Sequence, residues 1–183
     1  FRHERPAAII GVFQDVTDRH LREEELRHSA STDSLSGLPN RASFEQRFAE
    51  TLAASKSQRE PVALLLMDLD GFKAVNDSFG HAAGDEILKA IAQRMRAGSM
   101  ANAFPARLGG DEFVIMLEEL SPYAGEAAFQ AEASAKKILA AINQPFDLLG
   151  QFHHSTPSIG IALFHDQLQS VEELLRRADL AMY

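Results

Sequence analysis

Val62-Ala63-Leu64-Leu65-Leu66-Met67 is apolar at every position and runs directly into Asp68-Leu69-Asp70-Gly71. A strand places successive side chains on opposite faces, so a strand with no polar face must be covered on both. The chain therefore needs a sheet centred on this segment with helices above and below it. The two carboxylates and the glycine that follow put polar chemistry at one edge of that sheet.

The remaining elements fit such a sheet. Asn40 can cap a helix in which Phe44, Phe48 and Leu52 recur every four residues, and Ser55 to Pro61 ends it. Gly84 to Ala97 reads as a helix with Ile87, Ile91 and Met95 on one stripe. Phe104 to Leu108 and Glu112 to Leu117 read as short strands separated only by Gly109-Gly110-Asp111, which is hairpin spacing. Ala124 to Ile142 is a helix stopped by Pro145, Ser158 to Phe164 a strand, and Val171 to Met182 a last helix. From Val62 the order is strand, helix, strand, strand, helix, strand. That is an α+β pattern of the ferredoxin-like and polymerase-palm type, a sheet with flanking helices. A right-handed crossover leaves a gap that the third strand fills antiparallel. This predicts that Asp68 and Asp70 approach Asp111 and Glu112.

Upstream, Ala7 to Phe13 is rich in β-formers and passes into Asp15-Val16-Thr17-Asp18, as the last strand of a preceding domain would. Asp18 to Ala30 is charged and helix-favouring, with Leu21 and Leu26 its only large apolar residues, so it reads as a connector that pairs with a copy of itself. Ser31 to Pro39 carries the small, polar and helix-breaking residues of a boundary. The expected division is residues 1–17, 18–32 and 33–183. Beginning at Phe1 and ending at Tyr183, the chain is expected to be cut from a longer protein.

Composition removes several classes of function. With 45% hydrophobic and 24% charged residues, the 183-residue chain is globular. It has no cysteine, which excludes thiol catalysis and zinc-thiolate sites. Lys and Arg number 18 against 26 for Asp and Glu, a net charge of −8 that argues against a nucleic acid partner held through phosphate contacts. A phosphate substrate would arrive with cations. The run from Val62 to Met67 is far shorter than the roughly 20 apolar residues that span a bilayer. No signal-peptide pattern opens the chain, so no membrane contact and a cytoplasmic location are expected of this segment.

Carboxylates gathered at one sheet edge repel one another unless a cation joins them. Oxygen donors without histidine suit Mg²⁺ or Mn²⁺, ions that keep positions open for substrate phosphates. Gly71-Phe72-Lys73 begins a helical turn whose free N–H groups, with the Lys73 charge, can hold phosphate oxygens. Gly109-Gly110 has no side chains to keep a ribose or phosphate off the hairpin backbone. Asn76 and Asp85 offer the donor and acceptor that read guanine, whose N1 and N2 hydrogens a carboxylate accepts and adenine lacks. Taken singly, each feature has a plainer reading. Gly-Gly makes turns, Asp at a strand end caps them, Asn76-Asp77 and His81 suit a loop, and His153 and His154 suit a solvent-facing strand.

Together they are similar to one family. Gly109-Gly110-Asp111-Glu112-Phe113 is identified as the signature of the GGDEF diguanylate cyclase domains. Asp68-Leu69-Asp70-Gly71-Phe72-Lys73, Asn76-Asp77, Gly80-His81 and Gly84-Asp85 resemble the family's metal, phosphate and guanine segment in order and spacing. Leu38-Pro39-Asn40-Arg41, Ser158 to Ala162 and Ala178 to Tyr183 resemble its outer landmarks. The resemblance implies Mg²⁺ (or Mn²⁺) held by Asp68, the Leu69 carbonyl, Asp111 and Glu112, with Asp111 and Glu112 also catalytic. It implies guanine on Asn76 and Asp85, terminal phosphates on the amides of Gly71, Phe72 and Lys73, and the α-phosphate region on Gly109 and Gly110. Two GTP molecules would join into cyclic di-GMP across a homodimer, releasing pyrophosphate. Residues 1–17 with the helix after them resemble the exit of a PAS sensor. The stretches Phe113 to Leu120 and Ala178 to Tyr183 resemble GGDEF domains in tandem with an EAL phosphodiesterase, so a GTP-binding regulator of such a partner is the competing expectation.

Three departures stand out. The family's Arg-x-x-Asp product site corresponds to Met100-Ala101-Asn102-Ala103, Ser36 stands where Thr is usual, and the chain ends before the family's Ala-Lys and Gly-Arg-Asn segment.

Overall fold

The computed structural model describes residues 30–58, 60–98, 101–148, 150–164 and 170–182. The expected upstream strand, and the connector helix apart from Ala30, lie outside them. The elements in chain order are α1 (Arg41–Gln58), β1 (Val62–Leu69), α2 (Phe72–Phe79), α3 (His81–Gly98), β2 (Ala103–Gly109), β3 (Glu112–Leu117), α4 (Ala124–Ile142), β4 (Phe146–Leu148), β5 (Gln151–His153), β6 (Pro157–Phe164) and α5 (Val171–Leu180).

The main sheet has the order β2-β3-β1-β6, with every neighbouring pair antiparallel. β1 is central, and its alternation builds two cores. Ala63, Leu65, Met67 and Leu69 pack with Val75 of α2, Ile87, Ile91 and Met95 of α3, and Ala131, Ile138 and Ile142 of α4. Val62, Leu64 and Leu66 pack on the other face with Phe44 and Phe48 of α1 and Leu174 and Ala178 of α5. Both faces are thus covered, as the apolar run requires. On the second face β6 and α5 meet at a glycine: a Cβ on Gly160 would lie within 3 Å of the Ala178 carbonyl, so only hydrogen fits there.

Two regions differ from expectation. The helix expected from Gly84 starts at His81, and a separate helix, α2, precedes it. Gly80, at φ +83°, donates its N–H to the Asn76 carbonyl and turns the chain between them. A helix this short leaves little periodicity to read. The β4–β5 hairpin was not expected either, because three residues per strand are too few to show alternation. It is anchored by Arg94, whose guanidinium lies 3.9 Å from the centre of the Phe146 ring and donates to the carbonyls of Ile142, Gln144 and Pro145 at the end of α4. His153, expected to face solvent, is half-buried with its ring edge-on to Phe79 of α2 at 5.9 Å. His154 is exposed. Among the described residues, no helix is long and apolar enough to cross a membrane.

Candidate active site

The end of β1 and the β2–β3 turn come together because β1 and β3 run antiparallel with Met67 opposite Phe113. One residue further, Asp68 lies towards the turn that carries Asp111 and the start of β3 at Glu112. Asp68 is half-buried, and its Oδ1 accepts from the Leu69 N–H at 2.9 Å. Burial and then the neighbouring Asp111 charge push its carboxyl above the ordinary range, with Glu112 and Asp70 adding to the effect and the Leu69 N–H opposing it. Among the described residues no ion pair reaches Asp68 or Asp111. Glu112 is exposed, with Arg41 of α1 at 4.0 Å.

Asp70 does not join this group as a free ligand. Its two carboxylate oxygens accept from Ser158 Oγ (2.8 Å) and Thr156 Oγ1 (3.0 Å), and its N–H donates to the Thr156 carbonyl. It ties the end of β1 to β6 and acts on Asp68 through its charge alone.

Glycine shapes the rest of the edge. Gly109 (φ +144°) and Gly110 (φ +53°) form the turn, and Gly71 (φ +72°) precedes α2. Nothing lies within 4 Å of where a Cβ would stand at any of the three. The backbone there is open to a ligand on its outer side. No side chain caps the α2 N-terminus, so the N–H groups at Phe72 and Lys73 have no side-chain acceptor there. Asn76 lies on α2 and Asp85 on α3, where Asn76 is half-buried and Asp85 exposed.

Sequence reading overlooked the residue that holds the turn from within. Arg107 of β2, only 9% exposed, donates Nε (3.0 Å) and Nη2 (2.7 Å) to the Gly110 carbonyl and Nη1 (2.7 Å) to Asp33 Oδ1. Asp33 also accepts from the Ser36 N–H. Burial raises the Asp33 carboxyl, but hydrogen bonds from Ser36 and Arg107 and the Arg107 charge hold it below the ordinary range. The available signal was an arginine in an otherwise apolar strand, since a buried guanidinium needs carbonyl and carboxylate acceptors. Ser36 keeps a turn role, its hydroxyl accepting from the Leu38 N–H. In the Met100-Ala101-Asn102-Ala103 stretch, Asn102 binds the Glu118 main chain through both its side chain and its backbone, and Met100 lies outside the described residues.

The donor set fits a hard divalent cation: two mutually repelling carboxylates, a third close by, and the adjoining Leu69 carbonyl, all oxygen. Among the described residues no three acidic or histidine side chains converge closely enough to hold an ion unaided. The carbonyl and the ligand's own oxygens are therefore needed to complete a coordination shell.

Known proteins are similar to this chain in sequence and share its fold. Residues 30–183 match the family model described as "Diguanylate cyclase, GGDEF domain". The probable diguanylate cyclase DgcE of Escherichia coli is 39% identical over 173 residues, 94% of this chain and 15% of DgcE. Diguanylate cyclase TpbB of Pseudomonas aeruginosa is 42% identical over 159 residues, 86% of this chain and 35% of TpbB. The chain thus spans about a third or less of these relatives. Among solved structures, a GGDEF-only form of TpbB superimposes with a TM-score of 0.73 at 41% identity, covering 83% of this chain and 86% of that one. The coiled coil and GGDEF domain of DgcB from Caulobacter crescentus, in complex with cyclic di-GMP, gives 0.77 at 26% identity, covering 91% and 86%.

Proposed function

Because the chain belongs to the GGDEF family of diguanylate cyclase domains, we propose that it condenses two molecules of GTP into cyclic di-GMP. The observation that carries this reading is the uncompensated pair Asp68 and Asp111 beside a glycine turn and an uncapped helix N-terminus. GGDEF cyclases work with a divalent metal. Here Mg²⁺ or Mn²⁺, held by Asp68, the Leu69 carbonyl, Asp111 and Glu112, would neutralise the triphosphate and favour ionisation of the attacking hydroxyl.

The chain's own residues do the positioning. The amides of Gly71, Phe72 and Lys73 hold the terminal phosphates, with the Lys73 charge alongside. Gly109 and Gly110 let the α-phosphate lie against the turn, which Arg107 keeps in shape. Asn76 and Asp85 select guanine. Each 3′-hydroxyl attacks the α-phosphorus of the other nucleotide. Two phosphodiester bonds form, two bonds to pyrophosphate break, and the hydroxyl protons leave to solvent. One domain presents one half of this reaction, so a homodimer brings the two halves face to face.

Upstream, residues 1–17 fit the end of a PAS-like sensor and 18–32 a signalling helix that sets the dimer. The resemblance of Phe113 to Leu120 and Ala178 to Tyr183 to GGDEF domains in tandem with an EAL phosphodiesterase supports such a domain as a downstream partner, and a cytoplasmic setting completes the reading.

The test is incubation of the purified chain with GTP and Mg²⁺ across a protein dilution series, with chromatography of the nucleotides. Cyclic di-GMP should form, and activity per molecule should rise with protein concentration. GTP binding without product at any concentration would overturn the cyclase reading. Activity per molecule independent of concentration across the monomer–dimer range would overturn the two-domain arrangement.

A further inference from the structure

Gly84 is buried in α3, next to Asp85 and directly against the side chain of Asn76. A Cβ at this position would stand 2.0 Å from Asn76 Oδ1, 3.0 Å from Asn76 Cγ and 3.1 Å from Phe72 Cζ. The Asn76 amide therefore occupies the volume that any side chain at 84 would fill. Backbone geometry gives no other reason for glycine, since Gly84 is helical and absent from the positive-φ positions. A helix interior favours alanine over glycine.

The main chain of Asn76 has little room to yield. Its carbonyl accepts from the Gly80 N–H at 2.9 Å, and the Gly80 carbonyl accepts in turn from Ala83 and Gly84 at the start of α3. Val75 beside it is buried in the core. A methyl group at 84 would thus be met mainly by rotation of the Asn76 side chain.

We propose that Gly84 is a positioning residue for base selection: its missing side chain lets the Asn76 amide seat against α3, at a set spacing from the Asp85 carboxylate. This rests on the reading of Asn76 and Asp85 as the guanine contacts. The selectivity of the pocket then depends on a residue that donates and accepts nothing at the base itself.

The experiment uses the whole chain with Mg²⁺ and 3′-deoxy-GTP, which lacks the attacking hydroxyl, and compares 3′-deoxy-ATP and inorganic tripolyphosphate by calorimetry. Gly84→Ala should weaken 3′-deoxy-GTP about tenfold, the scale of one misplaced hydrogen bond. Binding of 3′-deoxy-ATP and tripolyphosphate should stay within about twofold. In an Asn76→Ala background, Gly84→Ala should cost nothing further, because no amide remains to displace. Should Gly84→Ala alone fail to fold, the double variant decides: if it folds, the clash runs through Asn76, and if it too fails, Gly84 serves packing alone and the proposal is wrong. Equal losses for all three ligands, unchanged preference for 3′-deoxy-GTP, or additive losses in the double variant would also overturn it. A parent chain that shows no preference for 3′-deoxy-GTP over 3′-deoxy-ATP would instead refute the guanine reading itself.

Discussion

Acidic residues stand at both ends of the β1–β3 pair, and the chain treats them in opposite ways. At the end of β3, Glu118 accepts from Arg47 Nε (2.9 Å) and Nη2 (2.6 Å) and from Thr51 Oγ1 (2.5 Å), so α1 supplies its counter-charge. At the other end, Asp68 and Asp111 face each other with no cation paired to either among the described residues, and burial, with the Asp111 charge second to it, raises the Asp68 carboxyl above the ordinary range. Carboxylates that serve the fold are neutralised by the fold. Those left in mutual repulsion need charge from outside, which the metal of the proposed nucleotide site would supply and a structural ion pair does not require.

The largest effect should come from breaking the uncompensated end. Asp68→Ala or Asp111→Ala should lower cyclic di-GMP synthesis by more than about 100-fold, beyond the loss common for a residue that merely supports a metal ligand. The folding transition seen by circular dichroism should persist, since neither side chain is in either core. Unchanged synthesis would remove both residues from the metal site.

Next in size is the base pocket. Asp85→Ala should weaken GTP by roughly 10- to 150-fold, the equivalent of about 1.5–3 kcal/mol for a charge-assisted contact. Competition between GTP and ATP in filter binding reads this directly, and equal competition by ATP in the parent would count against base reading.

The compensated end should respond in stability instead. Glu118→Ala leaves Arg47 and Thr51 without their acceptor and should cost about 1–3 kcal/mol in urea unfolding, while synthesis per folded molecule stays near the parent level. A selective loss of turnover would mean that the two ends are coupled.

Smaller still is the effect of removing repulsion. Without metal, Asp111→Asn should raise stability at neutral pH by less than about 1 kcal/mol, because these groups remain partly solvated. The sign follows from the raised Asp68 carboxyl: its contribution to folding is present below the ordinary carboxylate range and lost as pH rises through the raised value. Asp33 behaves oppositely. Its lowered carboxyl stabilises the fold above its ordinary value, and this is lost as pH falls through the lowered one. Asp33→Asn should therefore narrow the gap between thermal unfolding at neutral and acidic pH, and an unaltered gap would show that Arg107 does not depend on Asp33.

Much of this was legible in residue order. An apolar run with no polar face demands cover on both sides, and β1 has it. Strand-and-helix order together with crossover handedness placed Asp68 beside Asp111 without any distance being known. Short elements were less legible: of α2 only the opening turn at Gly71-Phe72-Lys73 was expected, β4 and β5 carry too few residues for a period to emerge, and what defines them is contact, as between Arg94 and Phe146 or Phe79 and His153.

Residue types and spacing were enough to propose the kind of chemistry at the sheet edge, because oxygen donors, glycines and the amide and carboxylate of Asn76 and Asp85 have donor and acceptor properties that do not depend on their surroundings. Tertiary structure alone decided which carboxylate would be left without a partner. Asp70 is taken by Thr156 and Ser158, Glu118 by Arg47 and Thr51, and Asp33 by Arg107, across sequence separations of 67 to 88 residues. Among the described residues, Asp68 and Asp111 have no such partner. Charge compensation depends on distances of a few ångströms, and those exist only once the chain has folded.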